Sequence, residues 1–151
     1  DIARAVQTNL TGAMMLVNAF VPKMRVKSKV VLLNSILGQI PLMGNAAYCA
    51  TKAGLHHFAE SLSIELERAG RGVKVHSLYP AYVKTPMLES VQDGGRTFLK
   101  PVEPDVVTRQ IARIVNGKVR DRGGFISLRD KFIAGFYRFL PGSFRSLLAS
   151  M

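Results

Sequence analysis

A chain of 151 residues, 48% of them hydrophobic and 21% charged, is long enough for one compact domain and too apolar for a long disordered tail. The net charge of +11 lies mostly in residues 96–151, which hold 11 Lys and Arg against 4 Asp and Glu. Scattered basic side chains are usually a solvated surface, so charge by itself does not indicate a nucleic-acid or lipid site.

The compartment follows from the cysteine count and the first residues. Cys49 is the only cysteine, so no intramolecular disulfide can form, and no basic flank followed by an apolar run marks a signal peptide. We expect a cytoplasmic protein, with membrane association as an alternative. The opening DIARAVQTNLTG has no initiator Met, and we expect it to lie within a longer protein.

Helical and strand patterns alternate along the chain. Residues 2–24 carry apolar side chains at three- and four-residue steps, which predicts a helix bent or ended by Pro22. These side chains are Ile2, Val6, Leu10, Met14, Val17, Phe20, Val21 and Met24. The run KVVLLNS, residues 29–35, then predicts a strand buried on both faces of a parallel sheet.

The same alternation continues to residue 128. Residues 46–69 return to helical period before Gly70 and Gly72, and VKVHSLYP, residues 73–80, predicts a second buried strand. Residues 104–117 predict a third helix and GGFISL, residues 123–128, a third strand. The fold class predicted is α/β, part of a doubly wound parallel sheet with helices on both faces and right-handed crossovers.

Tyr48 and Lys52 stand one helical turn apart in AAYCATKAGL, so their side chains share a face of the second helix. A nearby ammonium lowers the pKa of a phenol by favouring the phenolate, which makes the pair a usable acid/base. The spacing alone is common on solvated helices. Its neighbours add weight: Ser35 ends a strand 13 positions before Tyr48, and Asn9 lies in the first helix.

In order and spacing, Asn9 in NLTG, Ser35 in NSILG and the run YCATKAGLHHFAESLSIEL closely resemble the catalytic tetrad of the short-chain dehydrogenase/reductase family. The likeness covers residues 1–90 strongly and the remainder weakly. It implies a Rossmann-like fold, an NAD or NADP cofactor and a carbonyl or alcohol substrate. It also implies that Tyr48 is the acid/base, Lys52 binds the nicotinamide ribose, Ser35 orients the substrate and Asn9 supports a proton relay.

The resemblance continues into VKVHSLYPAYVKTPM, where it assigns Pro80, Val83 and Thr85 to the carboxamide end of the nicotinamide. Ala81 departs from the family's usual glycine at a point of close approach to the cofactor. The Gly-rich dinucleotide fingerprint is absent from these 151 residues, so the pyrophosphate cradle is expected outside them. Residues 1–128 are then predicted to be the catalytic half of the domain.

Several other features favour plainer interpretations. His56, His57 and His76 lack partners at metal-ligand spacing, so we expect packing or surface roles and no metal. Cys49 is expected to be a small buried residue rather than a nucleophile. The segment 86–101, with Gly94 and Gly95, is either a mobile substrate lid or only a surface loop.

Residues 129–151 form a predicted basic amphipathic extension with two apolar stripes. The first holds Phe132, Ile133, Phe136, Phe139 and Leu140, and the second holds Phe144, Leu147, Leu148 and Met151. We expect these stripes to pack on the domain or on a partner subunit, with an anionic membrane surface as the alternative.

Three functions are compatible with these patterns. The first is hydride transfer with a Tyr-Lys acid/base pair. The second is a non-catalytic interaction module, because the two long helices resemble those that the family pairs into a dimer interface, which implies a homodimer or homotetramer. The third is a membrane-surface protein. A nucleic-acid partner is not expected, because no strand face interleaves basic and aromatic residues.

Overall fold

The computed structural model describes residues 1–86, 101–119, 123–137, 139–143 and 145. In chain order its regular elements are α1 (Ile2–Val6), a π-helical segment (Gln7–Thr11), α2 (Gly12–Phe20), a 3₁₀ turn (Val21–Lys23), β1 (Lys29–Leu33), a second 3₁₀ turn (Ile36–Gly38), α3 (Ala46–Arg68), β2 (Lys74–Tyr79), α4 (Pro104–Val115), β3 (Gly123–Phe125) and α5 (Leu128–Tyr137).

The first helical region has the length predicted from the sequence, but it is not one regular α-helix. Asp1 caps its start by accepting a hydrogen bond from the Ala3 N–H at 2.9 Å, and residues 7–11 adopt π-helical geometry. A π segment shifts the phase of the residues before it relative to those after it. The predicted apolar stripe is only partly buried: Val17 and Val21 are buried, whereas Ile2 and Phe20 are exposed.

Helix α3 is the longest element and ends where the sequence predicts. Gly70 and Gly72 have φ values of 62° and 64°, a left-handed conformation that suits glycine and ends the helix. The Gly72 carbonyl accepts a hydrogen bond from the Lys27 N–H at 2.8 Å. This contact ties the entry to β2 to the entry to β1, so the two strands begin side by side.

The three described strands form one parallel sheet in the order β1-β2-β3. The register pairs Lys29 with Lys74 and Leu33 with Leu78. The prediction that β1 is buried on both faces is wrong at its end, where Leu33 is 51% exposed. Among the described strands β1 lies at the edge of the sheet, so no described strand pairs with its outer side.

Two apolar cores confirm that helices cover both faces of the sheet. On one face Val75 of β2 packs with Leu55 and Ala59 of α3 and with Val17 of α2. On the other face Leu78 of β2 packs with residues of α4. Alternate residues of one parallel strand thus point into opposite cores, as expected for a doubly wound sheet.

The histidines and the cysteine have the structural surroundings predicted for them. His56 is buried, and its Nδ1 lies 2.7 Å from the Tyr79 hydroxyl oxygen; His76 is buried in β2, and His57 is exposed. Cys49 is a buried free thiol. The spacing of the histidines, which lack partners at metal-ligand positions, still argues against a metal site there.

The end of the chain differs from its prediction in two ways. The third strand stops at Phe125, because α5 begins at Leu128. In the first apolar stripe, Phe132, Phe136 and Phe139 are exposed rather than packed on the domain, whereas Ile133 and Leu140 are partly buried. The second stripe, Phe144 with Leu147, Leu148 and Met151, lies outside the described residues, as do residues 87–100 of the predicted lid.

Within the described ranges, no helix combines the length and apolar character that crossing a bilayer requires.

Candidate functional site

The carboxyl edge of the sheet is where the predicted site residues collect. Beyond the paired strands, the Asn34 N–H donates to the Leu78 carbonyl at 2.8 Å and the Ile36 N–H donates to the Pro80 carbonyl at 3.0 Å. These two bonds extend the ladder past β1 and β2. Ser35 and Pro80, predicted from separate motifs, therefore lie on adjacent segments.

Ser35 is fixed by its place at the end of β1. Its backbone is extended, with φ −157° and ψ 155°, and its Oγ accepts a hydrogen bond from the Leu37 N–H at 3.2 Å, which caps the 3₁₀ turn. The Ser35 N–H donates to the Asn34 side-chain oxygen at 3.0 Å. These contacts hold the hydroxyl at the edge of the sheet, next to the first turn of α3.

Tyr48 and Lys52 lie in the first two turns of α3 and face the end of β1. The Lys52 Nζ donates to the Leu33 carbonyl at 3.0 Å and lies 5.7 Å from the centre of the Tyr48 ring. Ser35 lies close enough to the Tyr48 hydroxyl to oppose the effect of burial on the pKa of that phenol. The structure thus brings together three of the four predicted catalytic residues.

Close packing at Gly38 sets how near α3 lies to the Ser35 segment. A Cβ at position 38 would lie 2.7 Å from the Lys52 carbonyl oxygen and 2.9 Å from its carbon, closer than real Cβ atoms approach. Gly38 therefore has no room for a side chain. The backbone of α3 at Lys52 rests directly on the 3₁₀ turn that Ser35 caps.

Asn9 approaches the site from the π-helical segment. Its Nδ2 donates to the Thr51 Oγ at 3.5 Å, and that hydroxyl donates to the Tyr48 carbonyl at 2.8 Å. Asn9 therefore contacts the backbone of the Tyr48–Lys52 turn through buried Thr51 rather than touching Tyr48 directly. π-Helical segments often occur at functional sites, since the widened turn re-aims side chains.

The pKa of Tyr48 lies above its ordinary value, because burial disfavours the phenolate. The nearby Ser35 side chain acts in the opposite direction, and neighbouring Cys49 adds to the rise. The pKa of Lys52 is lowered by burial, which disfavours the ammonium. The net direction for Tyr48 is opposite to the one predicted from Lys52. The physical reason is that desolvation outweighs an ammonium that is bonded to the Leu33 carbonyl and lies 5.7 Å from the ring centre.

The segment after β2 forms the other side of the site. Val83 pairs with Val102 in an isolated parallel bridge, and the Thr85 hydroxyl donates to the Val83 carbonyl at 3.4 Å. Lys84 forms an exposed ion pair with Glu103. Ala81, next to Pro80, is partly exposed.

Sequence reasoning missed three residues that shape this site. Thr51 links Asn9 to Tyr48, Gly38 allows the approach of α3, and Asn34 is buried with its Nδ2 unpartnered among the described residues. The Asn-Ser pair at the strand end and the glycine three residues after Ser35 were visible signals. Thr51 gave none, because a threonine inside a helix has many ordinary uses.

Comparison with known proteins agrees with this geometry. The model of the family described as short chain dehydrogenase matches residues 1–95. The chain is 31% identical over 121 residues to 2,5-dichloro-2,5-cyclohexadiene-1,4-diol dehydrogenase LinX of Sphingobium indicum, covering 78% of this chain and 43% of that protein. It is 35% identical over 132 residues to acetoacetyl-CoA reductase of Shinella zoogloeoides, covering 81% of this chain and 52% of that protein.

A solved structure shares the fold. A short chain dehydrogenase from Burkholderia cenocepacia J2315, crystallised in complex with NADP, superposes with a TM-score of 0.82 at 18% identity, covering 100% of this chain and 60% of that one. The chain spans about half the length of the curated relatives it matches. From the family match over residues 1–95 and the site at the carboxyl edge of its sheet, the chain belongs to the short chain dehydrogenase family.

Proposed function

We propose that the protein containing this chain is an oxidoreductase that transfers hydride between NAD or NADP and a carbonyl or alcohol substrate, with Tyr48 moving the proton. The observation that carries the proposal is the meeting of Tyr48, Lys52 and Ser35 at the end of β1. Residues 1–128 are the catalytic half of the domain in this proposal, and residues 129–151 are a separate extension.

The donor set at the site suits the nicotinamide end of such a cofactor. The Lys52 ammonium and the Tyr48 hydroxyl are suitable partners for ribose hydroxyl groups, and the Thr85 hydroxyl with the backbone at Pro80 and Val83 suits a carboxamide. The nicotinamide, when bound, supplies or accepts the hydride. The protein's residues are left to bind, to orient and to move one proton.

Tyr48 is suited to donate that proton. Burial raises the pKa of its phenol, so the hydroxyl stays protonated at neutral pH and can give its proton to a carbonyl oxygen as that oxygen gains charge. In the oxidative direction the phenolate must form. The nearby Lys52 ammonium then opposes the cost of burying that negative charge, because its attraction acts only on the ionised form.

Ser35 and Asn9 both assist the proton transfer by Tyr48, and they approach that residue from different elements. Ser35 lies beside Tyr48 at the end of β1, so its hydroxyl can bind the substrate oxygen next to the proton donor. Asn9 supports the Tyr48–Lys52 turn through Thr51 and, in this proposal, holds a water molecule for proton relay. The roles of all four residues depend on the α3 position that Gly38 permits.

The test is Tyr48→Phe in the complete protein, which removes one phenolic oxygen. We expect turnover to fall by about 10²- to 10⁴-fold, the usual contribution of a positioned acid/base, while cofactor affinity stays within a few-fold. Nicotinamide absorbance with several carbonyl substrates measures turnover, and calorimetry measures cofactor binding. Tyr137→Phe is the matched control, since it removes the same atom from a buried tyrosine of α5. A Tyr48→Phe protein with near wild-type turnover would refute the assigned role.

A second function, assembly through the long helices, has its own supporting observation. Met15, Leu16 and Phe20 of α2 are exposed and large, and Ile64 of α3 is exposed as well. Apolar faces of this kind are commonly covered by another subunit. In this proposal the protein forms a homodimer or homotetramer, and light scattering of Phe20→Ser against wild type should show a smaller species. An unchanged mass would argue against the α2 face.

A further inference from the structure

Helix α5 turns a ridge of large apolar side chains to solvent. The α5 ridge consists of Leu128, Phe132, Phe136 and Phe139, which are 78%, 78%, 64% and 87% exposed. Phe139 continues the helical path, because its N–H donates to the Phe136 carbonyl at 3.0 Å. Four such side chains in one row are far from the scattered single exposures that a monomer surface normally shows.

The ridge lies opposite the face by which α5 is attached. The buried residues of the helix are Asp130, Ala134 and Tyr137. At about 100° per residue, Ala134 points roughly 160° away from both Phe132 and Phe136. The domain therefore holds α5 by the face that contains Asp130, Ala134 and Tyr137, and the most apolar face of the helix has no partner within the described chain.

The position of α5 in the fold argues against a further strand of the sheet as the cover of the α5 ridge. The helix follows β3, whereas the strand expected to complete the sheet pairs with β1, at the opposite edge. Two strand spacings, about 10 Å, separate those edges. A strand added beside β1 would thus lie at the edge of the sheet away from β3 and α5.

The charges beside the ridge indicate the chemistry of its partner. Arg129 and Lys131 are exposed on either side of it, and the one acidic residue of 129–151, Asp130, is buried on the attached face. A second copy of the chain docked ridge to ridge would bring like charges together. A partner with an apolar interior and an anionic surface accommodates both features.

We propose that α5 docks the protein on an anionic phospholipid bilayer. The helix lies in the plane of the surface, with the α5 ridge in the acyl-chain boundary and Arg129 and Lys131 at the lipid phosphates. Ten residues cannot cross a bilayer, but they suffice for this interfacial position. The inference goes beyond hydride transfer and does not depend on it.

The test is flotation of the complete protein with phosphatidylcholine vesicles and with vesicles that also contain phosphatidylserine. We expect binding only to the second kind, weakened by salt as the Debye length shrinks. Phe132→Ser with Phe136→Ser should lower partition by about tenfold or more. Arg129→Gln with Lys131→Gln should lower it by about fivefold for each charge removed.

Two control variants on α4 test whether any loss of apolar area or of charge would have the same effect. Val115→Ser removes an exposed apolar side chain, and Arg109→Gln with Arg113→Gln removes two exposed charges; both should bind vesicles like wild type. Circular dichroism confirms that each variant is folded. Wild-type protein that does not float with phosphatidylserine vesicles, or a Phe pair variant that still does, would overturn the proposal. So would light scattering in which the Phe pair variant alone loses an oligomer, because a second copy would then cover the ridge.

Discussion

Replacing Gly38 with alanine tests how the site is held together. The new Cβ would lie 2.7 Å from the Lys52 carbonyl oxygen, and ordinary contact begins at 3.4 Å, so the 3₁₀ turn and α3 must separate by about 0.7 Å. Overpacking of this kind costs about 1–3 kcal/mol, offset by about 0.4–1 kcal/mol from the stiffer unfolded chain. We expect a net loss of about 1–2 kcal/mol in the free energy of unfolding.

The same displacement should lower activity more than stability. Tyr48 and Lys52 move with α3, whereas Ser35 stays with β1, so the proton donor and the substrate-orienting hydroxyl separate. Misplacement by about 1 Å typically costs about 10²-fold in rate, and we expect a loss in kcat/KM of about 10- to 100-fold. Urea unfolding and nicotinamide absorbance of the complete protein measure the two effects.

Two other glycines serve as controls for Gly38→Ala. At Gly54 the new Cβ meets the flexible end of the Leu10 side chain at 3.1 Å, and at Gly135 it meets nothing within 4 Å. Both lie inside helices, where alanine is favoured over glycine by about 1 kcal/mol, so Gly135→Ala should stabilise and Gly54→Ala should change stability little. A Gly38→Ala protein with wild-type kcat/KM would refute the link between this packing and the site.

Three further outcomes are expected. Lys52→Met should abolish most turnover yet raise the free energy of unfolding at pH 7. Burial lowers the pKa of Lys52, so the stability of the wild type rises with pH between that lowered pKa and about 10.5. The stability advantage of the variant, measured by urea unfolding, should therefore shrink across that pH range. An advantage that grows with pH would contradict this. Leu78→Ala should cost about 2–5 kcal/mol by the same measurement, because Leu78 is fully buried against α4, and a loss below 1 kcal/mol would contradict the packing. The 151-residue chain alone should bind NAD(H) and NADP(H) much more weakly than the complete protein, because a pyrophosphate normally sits at a glycine turn that these residues lack. Calorimetry measures both affinities, and micromolar binding by the 151-residue chain would contradict the reasoning.

Much of the fold could be predicted because its signals are local. The runs KVVLL and KVHSLY are continuous and apolar, and they became neighbouring parallel strands. The exposure of Leu33 could not be predicted from that run, since it depends on which strand lies beside β1. Likewise the Phe residues of α5 show helical period, but period alone does not say which face meets the domain.

The site was predictable to the extent that it depends on spacing. Tyr48 and Lys52 share a helix face by geometry, and Ser35 precedes them at a strand end. The pKa of Tyr48 was predicted in the wrong direction, because spacing shows the distance to a charge and does not show burial. Thr51 acts through its hydroxyl on the Tyr48 carbonyl, a role that no sequence pattern in this chain announces. Gly38 was recognisable by its place three residues after Ser35, but its contact with the backbone of Lys52 depends on how two elements pack.

The π-helical segment at residues 7–11 has a consequence for how this helix tolerates changes in length. A π turn contains one residue more than an α turn, so deleting a single residue there would restore a regular α-helix. The residues of α1 would then rotate by about 100° relative to α2. Ile2 and Val6 would point in new directions while Val17 kept its place in the core. The widened turn thus acts as a one-residue insertion that fixes the relative rotation of two helical stretches, and Asn9 lies within it.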